Sequence, residues 1–444
     1  MSEVVSQPAV QASPMSTRRE RIAWYLYDFG NSAYAAVVLL AIYSAYFQGE
    51  VVGGAQGSRL WGYAVGIAML FVALTAPVLG TIADFSGSKK RFLFFYTAVC
   101  CTFTALLFFV GPGDVVTGML FFILAEIGYR SAQVFYNSLL PEIAADEDMS
   151  RISGNGWAIG SAGGILCLVI VLVLIMFVEG EGVVHVAFPI TGAFFAISAT
   201  PVFLWIRERA KPQQLPAGDN YLTMGFQRLA KTFRSVRIHR EYIKFMVSFL
   251  IYNDGIIMAL DFAAILGAVL FGMEQQQLIV FMIIVQITSI AGAYLFGLLA
   301  DRIDPKQSLI AALLMMIAAA VWMYFNYSLT GFYLIGGLAG FALTGVQSVS
   351  RAAVGLFAPR RQSAEFYGFF AIAGRTSSFI GPAVYGVLAY RAALWFQDRG
   401  LTTLVAEQQG QRFAILSIIA FLLVGLVLLL TVNVKRAQEQ PEVA

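Results

Sequence analysis

The stretch GTIADFSGSKKR (80–91) returns in outline as GLLADRIDPK (297–306) within a chain of 444 residues. Each copy follows a long apolar run, carries Asp four residues after Gly, and continues into basic residues. A second pair, YDFGN (27–31) and YNDG (252–255), repeats in the same order at a similar separation of about 220 residues. Matching elements half a chain apart indicate two homologous halves.

The surrounding composition places both halves in lipid. The chain is 59% hydrophobic and 12% charged, with mean hydropathy +0.75, too little charge for a soluble domain of this length. A net charge of +3 does not suggest a nucleic-acid partner. Cys100, Cys101 and Cys167 all lie in apolar runs and offer neither a disulfide framework nor metal-ligand spacing. Spanning ~30 Å of hydrocarbon takes about 20 apolar residues. Twelve runs qualify: 23–48, 60–83, 92–111, 115–139, 153–178, 184–206, 243–272, 277–300, 307–326, 330–352, 366–390 and 412–434. The expected fold is all-α, with twelve transmembrane helices in two six-helix pseudo-repeats.

Basic residues supply the direction. If the polar tail 1–22 is cytoplasmic, Lys and Arg should gather in the tail, the even-to-odd loops and the C-terminus. Of 29 basic residues, 22 lie on that side, four on the other and three within spans. Both termini are therefore expected inside. The first apolar stretch is long and polar-punctuated, unlike a cleavable signal. The expected organisation is a tail (1–22), a first half (23–206), a basic cytoplasmic linker (207–242), a second half (243–434) and a C-terminal tail (435–444).

The 80–91 loop, Gly-x-x-x-Asp-x-x-Gly followed by basic residues, resembles the signature loop of the major facilitator superfamily. In it Gly80 would let two helices pack closely, and Asp84 would face the positive end of a neighbouring helix and hold the cytoplasmic side shut. Phe85 and Ser88 stand where basic residues are common, and the second copy keeps Asp301 and Arg302 but has Asp304 in place of glycine. WYLYDFGNSAY (24–34), FYNSLLPEIA (135–144), SGNGWAIGSAGG (153–164), YNDG (252–255) and EFYGFFAIAGRTSSFIGP (365–382) are similar to one branch of that superfamily. This branch contains the autophagy-related vacuolar amino-acid effluxers of fungi and many prokaryotic relatives. The resemblance implies a secondary transporter working by alternating access, with amino acids or related metabolites the favoured solutes. It also implies a multi-pass membrane location: the plasma (inner) membrane of a prokaryote, which the lack of a long soluble insert favours, or the vacuolar membrane of a fungus.

Ionisable groups inside spans mark function by default, because each costs ~2.5–3.5 kcal/mol at the bilayer centre. They fall in span 1 (Asp28), span 4 (Glu126, Arg130), span 7 (Asp254, Asp261), span 10 (Arg351) and span 11 (Arg375). In the resembled fold spans 1, 4, 7 and 10 line the central cavity. Asp28 and Asn31 share one helical face; Glu126, Arg130, Gln133 and Asn137 share another; Gln347 and Arg351 a third. All of these except Arg351, together with Asn253, Asp254 and Arg375, are the solute and coupling candidates, an arginine holding a solute carboxylate and a carboxyl group carrying a proton. The plainer reading of Glu126 and Arg130 is an intrahelical i,i+4 pair that only satisfies itself. Gly80, Asp84, Asp301, Arg302 and Arg351 are gating candidates, and Asp261 an outer-gate candidate. The glycines of spans 5 and 11 are expected to pack, Pro382 to kink span 11, and the acidic run 142–148 to be solvated.

Other classes fit less well. His185 and His239 are the sole histidines, and no HExxH-like or Cys/His cluster supports a membrane enzyme. No filter-like loop supports a channel. A receptor or lipid scramblase on a transporter fold is the alternative. The expected partners are a small-molecule substrate, protons as coupling ion and the bilayer, with no cofactor, metal or nucleic acid and a monomeric chain.

Overall fold

The computed structural model describes residues 17–434 apart from 86, 145, 179–181, 210–219, 237–238, 303, 358–365, 367–368, 371–372 and 375–378. Every regular element among them is helical. Eleven helices are long and apolar enough to cross a membrane: span 1 Arg18–Val52, span 2 Gly54–Ala83, span 3 Lys89–Phe109, span 4 Val115–Ile143, span 5 Arg151–Phe177, span 6 Val183–Trp205, span 7 Arg240–Asp261, span 8 Gln275–Phe296, span 9 Pro305–Phe325, span 10 Leu329–Phe357 and span 12 Thr403–Leu430. Helix Ile380–Asp398 takes the place of span 11, packing against spans 2, 7 and 12.

The packing repeats as the sequence does. In the first half span 1 packs on 5 and 6, span 3 on 4 and 6, and span 2 on 4; in the second, span 7 packs on 11 and 12, span 9 on 10 and 12, and span 8 on 10. Each second-half pair is a first-half pair moved on by six spans. The halves meet where spans 2 and 11, 5 and 8, and 1 and 7 face each other. Small residues make these approaches possible. A Cβ on Gly163 would run into the Phe29 carbonyl oxygen between spans 1 and 5, and one on Gly62 into the Pro382 carbonyl oxygen between spans 2 and 11. Gly156 packs on Trp24 and Gly386 on Ser58, as expected of packing glycines.

Gly80 behaves otherwise. A Cβ there would find nothing within 4 Å, so in this conformation it supports no close helix pair. The signature loop instead needs Gly87, whose φ of 56° is left-handed. Its counterpart Asp304 explains why the second copy dispenses with glycine. Asp304 is extended (φ −60°, ψ 132°) and caps span 9, its carboxylate accepting from the Lys306 backbone N–H at 2.6 Å, with Pro305 opening the helix.

Three further expectations are corrected. Span 12 begins at Thr403 rather than 412, which brings Glu407 and Gln411 into the helix. In the acidic run Glu142 is not simply solvated, since it pairs with Lys89 at 2.6 Å and accepts from the Arg209 backbone N–H at 2.6 Å; the side chains of 146–148 lie outside the described residues. Pro382 falls in the first turn of Ile380–Asp398, where a missing N–H breaks no helical bond, so it kinks nothing there.

Spans 1 and 7 are both interrupted. Span 1 changes from α to π geometry over Ala35–Ala41, then breaks at Ile42 (φ −114°, ψ −60°). Span 7 breaks at Phe262 (φ −107°, ψ 2°) before resuming as Ala263–Phe271. The breaks hold corresponding places in the two halves, and the segments beyond them touch. Irregular backbone at membrane depth survives only where it is buried in protein or lines a cavity. Trp61 shows how: its indole N–H donates to the Asp261 carbonyl at the span 7 break, 2.9 Å away.

Candidate functional site

Span 4 starts at Val115, so Glu126 lies roughly 17 Å along it at ~1.5 Å per residue, near mid-membrane. Its side chain is 0% exposed, and Oε1 accepts from Arg130 Nε at 2.7 Å. The i,i+4 pair expected from the spacing therefore forms, but it does not satisfy itself. Glu126 Oε2 has no hydrogen-bond partner among the described residues, and the Arg130 side chain remains 23% exposed.

Other groups converge on the pair. The Arg130 guanidinium lies 5.2 Å from the Tyr129 ring centre, and Tyr129 packs on Tyr34 of span 1 at 4.8 Å. Asp261, at the span 7 break, feels the charges of both Glu126 and Arg130 from the other half of the molecule. Asp261 Oδ2 and the Tyr34 hydroxyl, which lies in the field of Glu126 and Arg130, are likewise buried without a hydrogen-bond partner among the described residues. Buried polar atoms are nearly always paired, so several orphans around one ion pair mark a place built to receive polar groups.

The other candidates are distributed around this centre. Asp28 is half-buried, with its carboxyl against Gly160 of span 5; a Cβ on that glycine would come within 2.6 Å of Oδ2. Gln133 is half-buried and Asn137 exposed, its amide donating to the Gln133 carbonyl at 2.7 Å. Asn253 Nδ2 donates to the Gly374 carbonyl at 3.4 Å. Asp254 is 4% exposed and Oδ1 has no partner. It sits against Gly381 at the start of Ile380–Asp398, two turns from Asp261 towards the end carrying the termini. Gln347 and Arg351 lie on an exposed face of span 10, and Arg302 is exposed at the end of its helix. Arg375 lies outside the described residues, as do the side chains of Asp84 and Asp301. No group of three or more potential metal-ligating His, Cys, Asp or Glu occurs among the described residues.

Polar contacts between the halves gather at the end of the bundle opposite the termini, a set the sequence reading missed. Gln48 Nε2 donates to Glu407 Oε1 at 2.6 Å, and Gln411 Nε2 to Ser58 Oγ at 2.6 Å while Gln411 Oε1 accepts from the Tyr385 hydroxyl. Arg59 stacks over Tyr390 at 4.1 Å. The available signal was Glu407 and Gln411 at i and i+4 directly before an apolar run, a spacing that belongs to a helix rather than the loop assumed.

A bundle of two six-span repeats, joined by polar contacts at one end and holding a buried ion pair at mid-membrane, invites comparison with known transporters. The family model described as "Vacuole effluxer Atg22 like" matches residues 58–442. The chain belongs to this family. It is 27% identical over 384 residues to an uncharacterised MFS-type transporter of Bacillus subtilis, YxiO, covering 84% of this chain and 89% of that one. Autophagy-related protein 22 of Yarrowia lipolytica is 24% identical over 322 residues, 66% of this chain, which spans about half (52%) of that relative's length. The fold matches a bacterial homologue of the human lysosomal transporter Spinster in an inward-facing, unoccupied conformation, with TM-score 0.73, 15% identity and coverage of 96% and 98%. It also matches the nucleoside transporter NupG, with TM-score 0.63, 15% identity and coverage of 95% and 99%. This family member is a multi-pass membrane protein of the major-facilitator transporter type.

Proposed function

We propose that the chain is a secondary active transporter for a small solute bearing both an ammonium and a carboxylate group, an amino acid or a close relative. The observation that carries this reading is the mid-membrane Glu126–Arg130 pair, with its unpartnered Oε2 and the facing Asp261 Oδ2. A solute ammonium supplies donors to these two carboxylates, and a solute carboxylate takes the N–H groups of Arg130 that Glu126 leaves free, a fork suited to that geometry. Glu126 and Arg130 belong to one half and Asp261 to the other, so binding would draw on both halves, as alternating access requires.

Asp254 is the proposed proton carrier. It is buried near mid-membrane in span 7 with one oxygen unpartnered, beside Gly381, whose neighbour Pro382 packs on Gly62 of the first half. The termini would lie in the cytoplasm and the chain would act as a monomer.

Purified protein in sealed proteoliposomes tests the reading by counterflow of labelled amino acids. Exchange of at least one is expected, falling at least tenfold in Glu126→Gln and Arg130→Gln, about the loss of one charged hydrogen bond. Absence of exchange for every amino acid, with folded protein, would exclude this solute class.

A further inference from the structure

The linker contains a feature its charge alone did not reveal. Helix Tyr221–Val236 runs YLTMGFQRLAKTFRSV, without a single acid. Leu222, Phe226, Leu229 and Phe233 recur at i, i+4, i+7 and i+11, one narrow stripe of the helix, while Arg228, Lys231 and Arg234 step around the opposite face. Most of the apolar stripe stays open: Leu222 is 57% exposed, Phe226 44% and Phe233 49%, while Leu229 is half-buried.

Two contacts set where this helix lies. Gly225 packs directly on span 2, where an added Cβ would come within 2.7 Å of the Pro77 carbonyl oxygen. Pro77 is six residues before Ala83, the end of span 2, or roughly 9 Å inward along it. Phe233 meets Phe369 of the second half at 6.1 Å between ring centres. The helix thus bridges the two halves beside spans 2 and 11, at a depth below the span ends.

We propose that this helix is an interfacial element whose occupant is the anionic phospholipid leaflet on the side of the termini. An amphipathic helix lying ~5–10 Å into the headgroup boundary, apolar face towards acyl chains and basic face towards headgroups, has this composition and depth. Charge complementarity selects anionic lipid, since the segment from Arg207 to Lys244 holds nine basic residues against three acids (Glu208, Asp219, Glu241). Because the helix touches both halves, the lipid it holds acts on an element that spans their interface.

Nitroxide labels placed by Phe226→Cys and, separately, Arg234→Cys test the placement in proteoliposomes of the full chain. A Cys101→Ala background suffices, because Cys100 and Cys167 are fully buried. At 226, oxygen should collide with the label far more often than a water-soluble nickel chelate does, and at 234 the order should reverse. A label at 226 open to the chelate would put the helix in water, and one shielded from both would put protein over it; either overturns the proposal. The lipid class is tested by the preference of the protein surface for spin-labelled phosphatidylglycerol over phosphatidylcholine. Replacing Arg228, Lys231 and Arg234 by Gln should lower that preference, by up to about fivefold per charge. An unchanged ratio would overturn the anionic-lipid assignment.

Discussion

In the proposed cycle, the residue whose substitution separates coupling from binding is Asp254. A carboxylate at this depth is costly when ionised and unpaired, and Asp254 sits against Gly381 at the start of Ile380–Asp398. Asp254→Asn resembles the permanently protonated form. It is expected to abolish accumulation driven by a proton gradient and to leave counterflow, which needs no net proton movement, within about twofold of the parent, whereas loss of a charged contact that bound solute would cost tenfold or more. Proteoliposome transport with and without an imposed gradient measures both. Persistent accumulation excludes Asp254 as the coupling group, while loss of counterflow makes it a binding or structural one and passes the coupling role to Glu126. The carboxylates and Arg130 were legible because charge in an apolar run stands out. Tyr34, Tyr129 and Trp61 were not, since an aromatic residue in a membrane helix gives no sign of whether it meets lipid or a buried ion pair.

At the scale of elements, the two broken helices and the polar latch at one end belong together. The segments beyond Ile42 and Phe262 touch, and Gln48–Glu407 and Ser58–Gln411 join the halves around them. In the proposed cycle these bonds hold that end shut. A hydrogen bond to a charged group contributes ~1.5–3 kcal/mol, so Glu407→Ala is expected to move the population towards an open end by roughly ten- to a hundredfold, and Glu407→Gln by far less because its amide oxygen still accepts from Gln48. Spin labels at Gln56→Cys and Thr402→Cys, one on each half beside the latch, report the change as longer distances in pulsed electron-spin measurements. The same distance distribution in Glu407→Ala and the parent would show that the latch does not hold this end. The breaks themselves were illegible: YAAVVLLAIYSAY (34–46) and DFAAILGAVLF (261–271) read as unbroken apolar helix, without a proline to announce an interruption.

The whole molecule adds direction. With 22 of 29 basic residues on one side, reporter domains inserted at Ala217 or fused to the C-terminus are expected to read cytoplasmic and one at Glu181 to read the opposite side, giving all-or-none reporter activity. An external signal at Ala217 would refute the orientation. By itself the sequence determined the membrane class, the two-fold repeat and the spans that carry charge. Those depend on how many apolar residues cross a bilayer and on patterns that recur at a fixed interval, both local or periodic properties of the chain. Tertiary structure decided which polar groups come within reach of one another. Asp261 and Arg130 are 131 positions apart, Gln48 and Glu407 359 apart, and each pair faces across the halves only because the repeats pack about a shared interface. It also decided that Gly80 stands in open space while Gly163 presses on Phe29, although both are glycines in apolar helices. A glycine's role depends on the backbone brought against it, and that backbone comes from a different part of the chain.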